Sequence, residues 1–138
     1  MVAAFAAAGV LAASSGKNAC ALVTAADVSS ALKARVGSGS RERIGAYDAC
    51  VYRSGKATVT VKTRPLSHAA YGGVVRKIPG VALKASDVSA DAWVFFIANG
   101  EGLDDWKGGA EVDLVVTGTG ANAVLQLKAL SKAARARL

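Results

Sequence analysis

The segment Cys50-Val-Tyr-Arg-Ser-Gly-Lys-Ala-Thr-Val-Thr-Val-Lys-Thr-Arg64 carries the strongest architectural signal in the chain. Two β-prone runs flank Ser54-Gly55, a two-residue connection in which glycine supplies the positive φ of a tight hairpin turn. The second run alternates without a break. Lys56, Thr58, Thr60, Lys62 and Arg64 fall on one face, and Ala57, Val59, Val61 and Thr63 on the other. Successive strand side chains point to opposite faces, so this strand has one wet and one dry side, as in an antiparallel sheet covered on a single face. Pairing across Ser54-Gly55 sets Arg53 opposite Lys56, Tyr52 opposite Ala57, Val51 opposite Thr58 and Cys50 opposite Val59. Cys50 therefore points into the core.

Upstream, Thr24 followed three residues later by Asp27 reads as a capping-box variant. It opens a helix whose apolar residues Val28, Ala31, Leu32 and Val36 share one face, and Gly37 ends it. Residues 38–45 read as a polar, basic loop. Downstream, Pro65 ends the hairpin strand and Ser67 caps a helix running to about Lys77, closed by Ile78-Pro79-Gly80. Strands follow at Ala92–Ile97, apolar on both faces and expected inside the sheet, at Leu103–Trp106, and at Ala110–Thr117. The last turns Val112, Leu114 and Val116 inward and Glu111 and Asp113 outward. Residues 121–138 form a final helix with the apolar stripe Ala123, Leu127, Leu130, Ala134 and Leu138. This order predicts an α+β fold, an antiparallel sheet of hairpin plus meander with three helices packed on it: an α/β sandwich.

The organisation is that of one domain, residues 19–138, behind an uncharged apolar segment, residues 1–15. That segment looks like the h-region of a signal peptide with small residues at Ala12-Ala13-Ser14, though no Lys or Arg follows Met1. A plain Ala-rich helix, or the inner part of a longer signal, would read alike. It is too short to span a bilayer, and Ser14 stands where a lipid-bearing cysteine would be needed. The expected address is periplasmic or secreted.

Cys20 and Cys50, the only cysteines, lie 30 residues apart and match no metal or redox spacing. One precedes a helix and the other faces the core of the hairpin, which points to a structural disulfide rather than two buried thiols. A net charge of +7, from 17 basic and 10 acidic side chains, favours anionic surroundings without choosing among them.

Four short motifs occur together: Ala19-Cys-Ala-Leu-Val-Thr-Ala-Ala-Asp-Val28, Cys50-Val-Tyr52, Val88-Ser-Ala-Asp-Ala-Trp93 and a terminal helix ending in Arg137-Leu138. In this the chain resembles small secreted envelope proteins and lipoproteins of actinobacterial type, of unknown function. The resemblance implies an α/β sandwich of the PsbP type over residues 19–138 and brings no catalytic residue with it. Val88 and Ala90 replace turn glycines of that group, and the lipid-anchoring cysteine is missing.

No catalytic set emerges from the residue types. His68 is the only histidine, and a general base needs a positioned partner while a zinc site needs three or four ligands. Gly72-Gly73 and Gly108-Gly109 open no phosphate loop, and no Gly-Xaa-Ser-Xaa-Gly elbow occurs. No cofactor or metal is implied. Glu101, Asp104 and Asp105 form an acidic cluster in a Gly-rich stretch, read as a polar turn or, alternatively, as the carboxylates of a hydrolase. Arg53, Lys56, Lys62 and Arg64 on the hairpin, with Lys128, Lys132 and Arg135 on the last helix, are the candidate contacts to an anionic partner. The hairpin's wet face lacks aromatics for base stacking, which argues against nucleic acid. The expectation is a non-enzymatic exported domain that binds an envelope protein or an anionic envelope polymer; a hydrolase or an inhibitor of a secreted enzyme is the alternative.

Overall fold

The structure, a computed structural model, describes residues 18–78, 80 and 82–138. The apolar segment 1–15 and Pro79 lie outside the described residues. Elements follow as α1 (Ala19–Leu22), α2 (Ala25–Leu32), β1 (Ser40–Ile44), β2 (Tyr47–Ser54), β3 (Ala57–Pro65), α3 (His68–Arg76), β4 (Ala82–Lys84), β5 (Trp93–Ile97), β6 (Gly100–Lys107), β7 (Ala110–Thr117), a 3₁₀ turn (Gly120–Asn122) and α4 (Ala123–Ala136). The fold is α+β, as the hydrophobic patterning predicts.

One seven-stranded antiparallel sheet, ordered β1-β2-β3-β7-β6-β5-β4, is built from two meanders. They join through the long-range pair β3–β7, so the first hairpin and the last strand make the centre of the sheet. The face carrying Cys50, Tyr52, Val59, Val61, Leu103, Val112, Leu114 and Val116 is buried, and α1, α2 and α4 cover it. Helix α3 lies on the opposite face.

The hairpin register differs from the expected one. Ser54 pairs with Ala57, Arg53 with Thr58, Tyr52 with Val59 and Cys50 with Val61, so the turn is Gly55-Lys56, with Gly55 at φ +58°. Strands keep period two, and Cys50 still faces the core. It is bonded to Cys20 across 5.1 Å between Cα atoms, tying α1 to β2. Tyr52 seals the same junction, its hydroxyl donating to the Val23 carbonyl at 2.6 Å.

Three further expectations change. Helix α2 has the Thr24–Asp27 capping box but stops at Lys33, which takes the left-handed conformation (φ 54°), four residues before Gly37. Val28 is buried in the core, and Val36, beyond the helix end, still packs against it without helical backbone. The basic loop is instead the exposed edge strand β1, where alternating charges at Arg41, Glu42 and Arg43 guard the sheet edge. Strand β5 does lie between two neighbours, β6 and β4, but it is not buried on both faces: β4 is three residues long and pairs no further than Phe95, and Phe96 and Ile97 are exposed. Among the described residues no helix is long and apolar enough to cross a membrane.

Candidate functional site

Asp104 and Asp105 are neighbours on β6 and so point to opposite faces. The strand expected at Leu103–Trp106 is present and longer, Gly100–Lys107, so the acids do not stand in a polar turn, and both carboxylates are buried at 2 % exposure. Asp105 is fully engaged on the α4 side. It accepts from Ser89 Oγ at 2.7 Å, Ser131 Oγ at 3.2 Å, the Trp106 amide at 2.8 Å and Arg135 Nη1 at 3.0 Å. These bonds tie β6 to α4 and to the loop before β5. Glu101 lies on that same face, so the trio Glu101, Asp104 and Asp105 is not brought together.

Asp104 faces α3, where it meets Asp113 across the β6–β7 ladder and Glu111 nearby. One oxygen from each of the three can be chosen so that all lie within 4.8 Å of one another. Sequence alternation places Glu111 and Asp113 away from the main core correctly, but not in solvent: Glu111 is 0 % exposed. What hides them is α3 together with Tyr47, which no local pattern announces. The cross-strand register explains how the charges are held. Arg64 stands opposite Glu111 and Lys62 opposite Asp113 on adjacent strands. Arg64 Nε donates to Glu111 Oε1 at 2.6 Å and Tyr47 donates to the same oxygen at 2.9 Å, while Lys62 Nζ lies 3.5 Å from Asp113 Oδ1. The Arg64 guanidinium also stacks over the Tyr47 ring, 4.5 Å from its centroid.

Asp104 has no such partner. Its Oδ1, like Glu111 Oε2 and Asp113 Oδ1, is buried and accepts no hydrogen bond from an amide, a hydroxyl or a cationic side chain. Burial first, then a shared hydrogen bond with Glu111 and the charges of Asp113 and Glu111, push Asp104 up to about 10. It therefore holds a proton at neutral pH and shares it with Glu111. Asp113 is raised as well, chiefly by burial and against the pull of Lys62. Half-buried Tyr47 and buried Tyr71, beside these carboxylates, are both held far above the ordinary tyrosine range.

A cleft of about 360 Å³ opens onto this group between α3 and the sheet. Asp104 and Asp113 lie at its base, and Tyr47, Val74, Ile78 and Phe95 form most of the walls. Gly102 explains the set of one wall: a Cβ there would strike the ring of Phe95, its cross-strand partner, which lies flat over the bare backbone. At the other end of α3, His68 stacks on Trp106 with ring centroids 4.5 Å apart and pairs with Asp91 at 2.7 Å. His68 is thus a surface anchor of the helix, as expected of an isolated histidine.

The candidate anion contacts do not converge. Lys62 and Arg64 are paired with Asp113 and Glu111 on the α3 face, whereas Lys128 and Arg135 are paired with Asp87 and Asp105 on α4. Arg53 and Lys56 lie exposed by the hairpin turn, away from the exposed Lys132 on α4. No family model, curated protein or solved structure matches the chain.

Proposed function

We propose that this chain is an exported, non-enzymatic binding domain and that its ligand is a small, partly apolar molecule held in the cleft beneath α3. The observation that carries the reading is the cleft's composition: apolar walls around a buried carboxyl that lacks a cationic protein partner. A concave, mostly apolar cavity with a few convergent polar groups is the usual form of a small-molecule site, and its volume lies at the lower end of the range, about 300–1,000 Å³. Export is supported by the Cys20–Cys50 disulfide and by the signal-like character of residues 1–15. The resemblance to secreted envelope proteins agrees with that address. The dispersal of the seven basic residues is why the cleft, and not an anion patch, carries the reading.

The test is a screen of small amphipathic fragments against the ¹⁵N-labelled chain. Fragments are expected to shift the amides of Val74, Phe95 and Asp104. Val74→Trp, which fills the cleft without touching a carboxylate, should abolish those shifts. Shifts confined to other surfaces, or an undiminished response in V74W, would overturn the reading.

A further inference from the structure

We infer that the ligand of this cleft carries an ammonium group, which sits against Asp104 while its apolar body lies between Phe95 and α3. The inference rests on the cleft being the binding site and adds the charge of what binds there.

The argument begins with a count of charges around the base of the cleft. Three carboxylates, Asp104, Glu111 and Asp113, face two protein cations, Arg64 and Lys62. Each cation has its own acid: Arg64 bonds Glu111 at 2.6 Å and Lys62 stands 3.5 Å from Asp113. Asp104 is the unmatched member, and its residue is 2 % exposed. Buried carboxylates are ordinarily paired with a cation or hydrogen-bonded. Asp105, one residue on, meets that rule with Ser89, Ser131 and Arg135. Asp104 has no cation of its own: its protein partner is another acid, Glu111, its Oδ1 accepts no hydrogen bond, and it lines a cleft whose walls are aromatic and aliphatic.

The proton held by Asp104 balances this count in the protein alone, and a single positive charge from the ligand takes that proton's place. A divalent metal ion would overshoot it, leaving one surplus positive charge in a buried site already holding Arg64 and Lys62. The spacing of the carboxylate oxygens, within 4.8 Å, would admit a metal ion, so charge and not distance separates the two occupants. The walls point the same way. A bare ion has no use for Val74, Ile78 and Phe95, whereas an alkyl- or arylammonium ion buries its carbon skeleton against them and presents one cation to the base. The ring of Phe95 adds an aromatic surface to which such a cation is attracted. Lys77 reaches the mouth of the cleft but is exposed, so its charge stays in water.

The experiment uses two probes of one shape, benzylammonium and benzyl alcohol, and calcium ion as a third, on the full chain at neutral pH. Amide shifts at Val74, Phe95 and Asp104 report occupancy and affinity. Benzylammonium is expected to bind at least about tenfold more tightly than benzyl alcohol, as one charge-assisted hydrogen bond implies. Asp104→Asn should bring the two probes level while leaving the alcohol's affinity unchanged; Asp113→Asn, whose acid is already matched by Lys62, should weaken the amine less. Equal binding of amine and alcohol in the native chain would overturn the ammonium assignment and leave the cleft as a site for neutral ligands. Calcium ion shifting these amides where benzylammonium does not would overturn it in favour of a metal. If neither organic probe reaches the cleft, the binding-site reading itself falls.

Discussion

Replacing Asp104 with asparagine isolates the proton that this carboxyl holds. The native group is raised from 3.8 to about 10, so the folded chain binds a proton that the unfolded chain has released over the whole interval between. For a carboxyl raised on folding, stability is greatest below the unfolded value and falls as pH climbs towards the folded one. The slope is about 1.4 kcal/mol per pH unit, so the native chain should lose on the order of 4 kcal/mol between about pH 5 and pH 8 through this group. Asparagine is neutral throughout and its amide can donate to Glu111 as the protonated acid does. D104N should therefore match the native chain near pH 5 and exceed it progressively above; any slope left in the variant belongs partly to Asp113, which is also raised. The same change one residue on is the control. Asp105→Asn leaves the Arg135 guanidinium without its buried partner and should cost roughly 3–5 kcal/mol, the loss typical of breaking a buried ion pair. Urea denaturation of the three proteins across this pH range reads both effects. If the native and D104N curves run parallel with pH, Asp104 is ionised in the folded state and the reasoning about its isolation is wrong.

Other perturbations probe the scaffold and the cleft separately. Cys20→Ala with Cys50→Ala reopens a loop whose closure over a separation of 30 residues is worth roughly 3–4 kcal/mol in the chain-entropy model, readable as a lower denaturation midpoint matched by the native chain under reductant. The intact mass of the native chain should rise by two hydrogen atoms on reduction. Arg64→Met removes the main partner of the fully buried Glu111 and should cost about 3–5 kcal/mol near neutral pH; Arg64→Met together with Glu111→Gln should recover much of that loss in the same assay. Gly102→Val forces the Phe95 ring off the sheet, so it should weaken every cleft ligand while leaving the near-ultraviolet signature of the Trp106–His68 stack unchanged.

The parts of the fold legible in the chain are those set by local alternation and capping. Ala110–Thr117 shows its inward Val112, Leu114 and Val116 directly, and Ser67 and the Thr24–Asp27 box place two helix starts. Cys50 could be turned inward even from a hairpin paired out of register, because a shift by an even number of partners keeps every side chain on its face. Strands β1 and β4 were not legible, since an exposed edge needs no apolar pattern: Ser40–Ile44 is exposed throughout, and only Ala82 in Ala82–Lys84 is even half-buried.

The site escaped for a different reason, which Asp104 and Asp105 make plain. In sequence they are indistinguishable, two acids in a Gly-rich stretch; the sheet assigns them opposite fates. Asp105 turns to a helix that supplies Ser131 and Arg135 from 26 and 30 residues away. Asp104 turns to strands β7 and β3, where Asp113 is its direct partner and Lys62 is the partner of Asp113 in turn. The carboxylates could be grouped only by knowing that β3 and β7, separated in the chain by α3 and strands β4 to β6, are neighbours. Charge alternation along β3 did contain half of the message, because Lys62 and Arg64 recur on one face as Glu111 and Asp113 do on β7. Matched cations and anions at the same two-residue spacing are a cross-strand pairing signal. Read as such, they satisfy each other and leave Asp104 over, and a buried acid left over at the base of an apolar cleft is where a ligand's charge belongs.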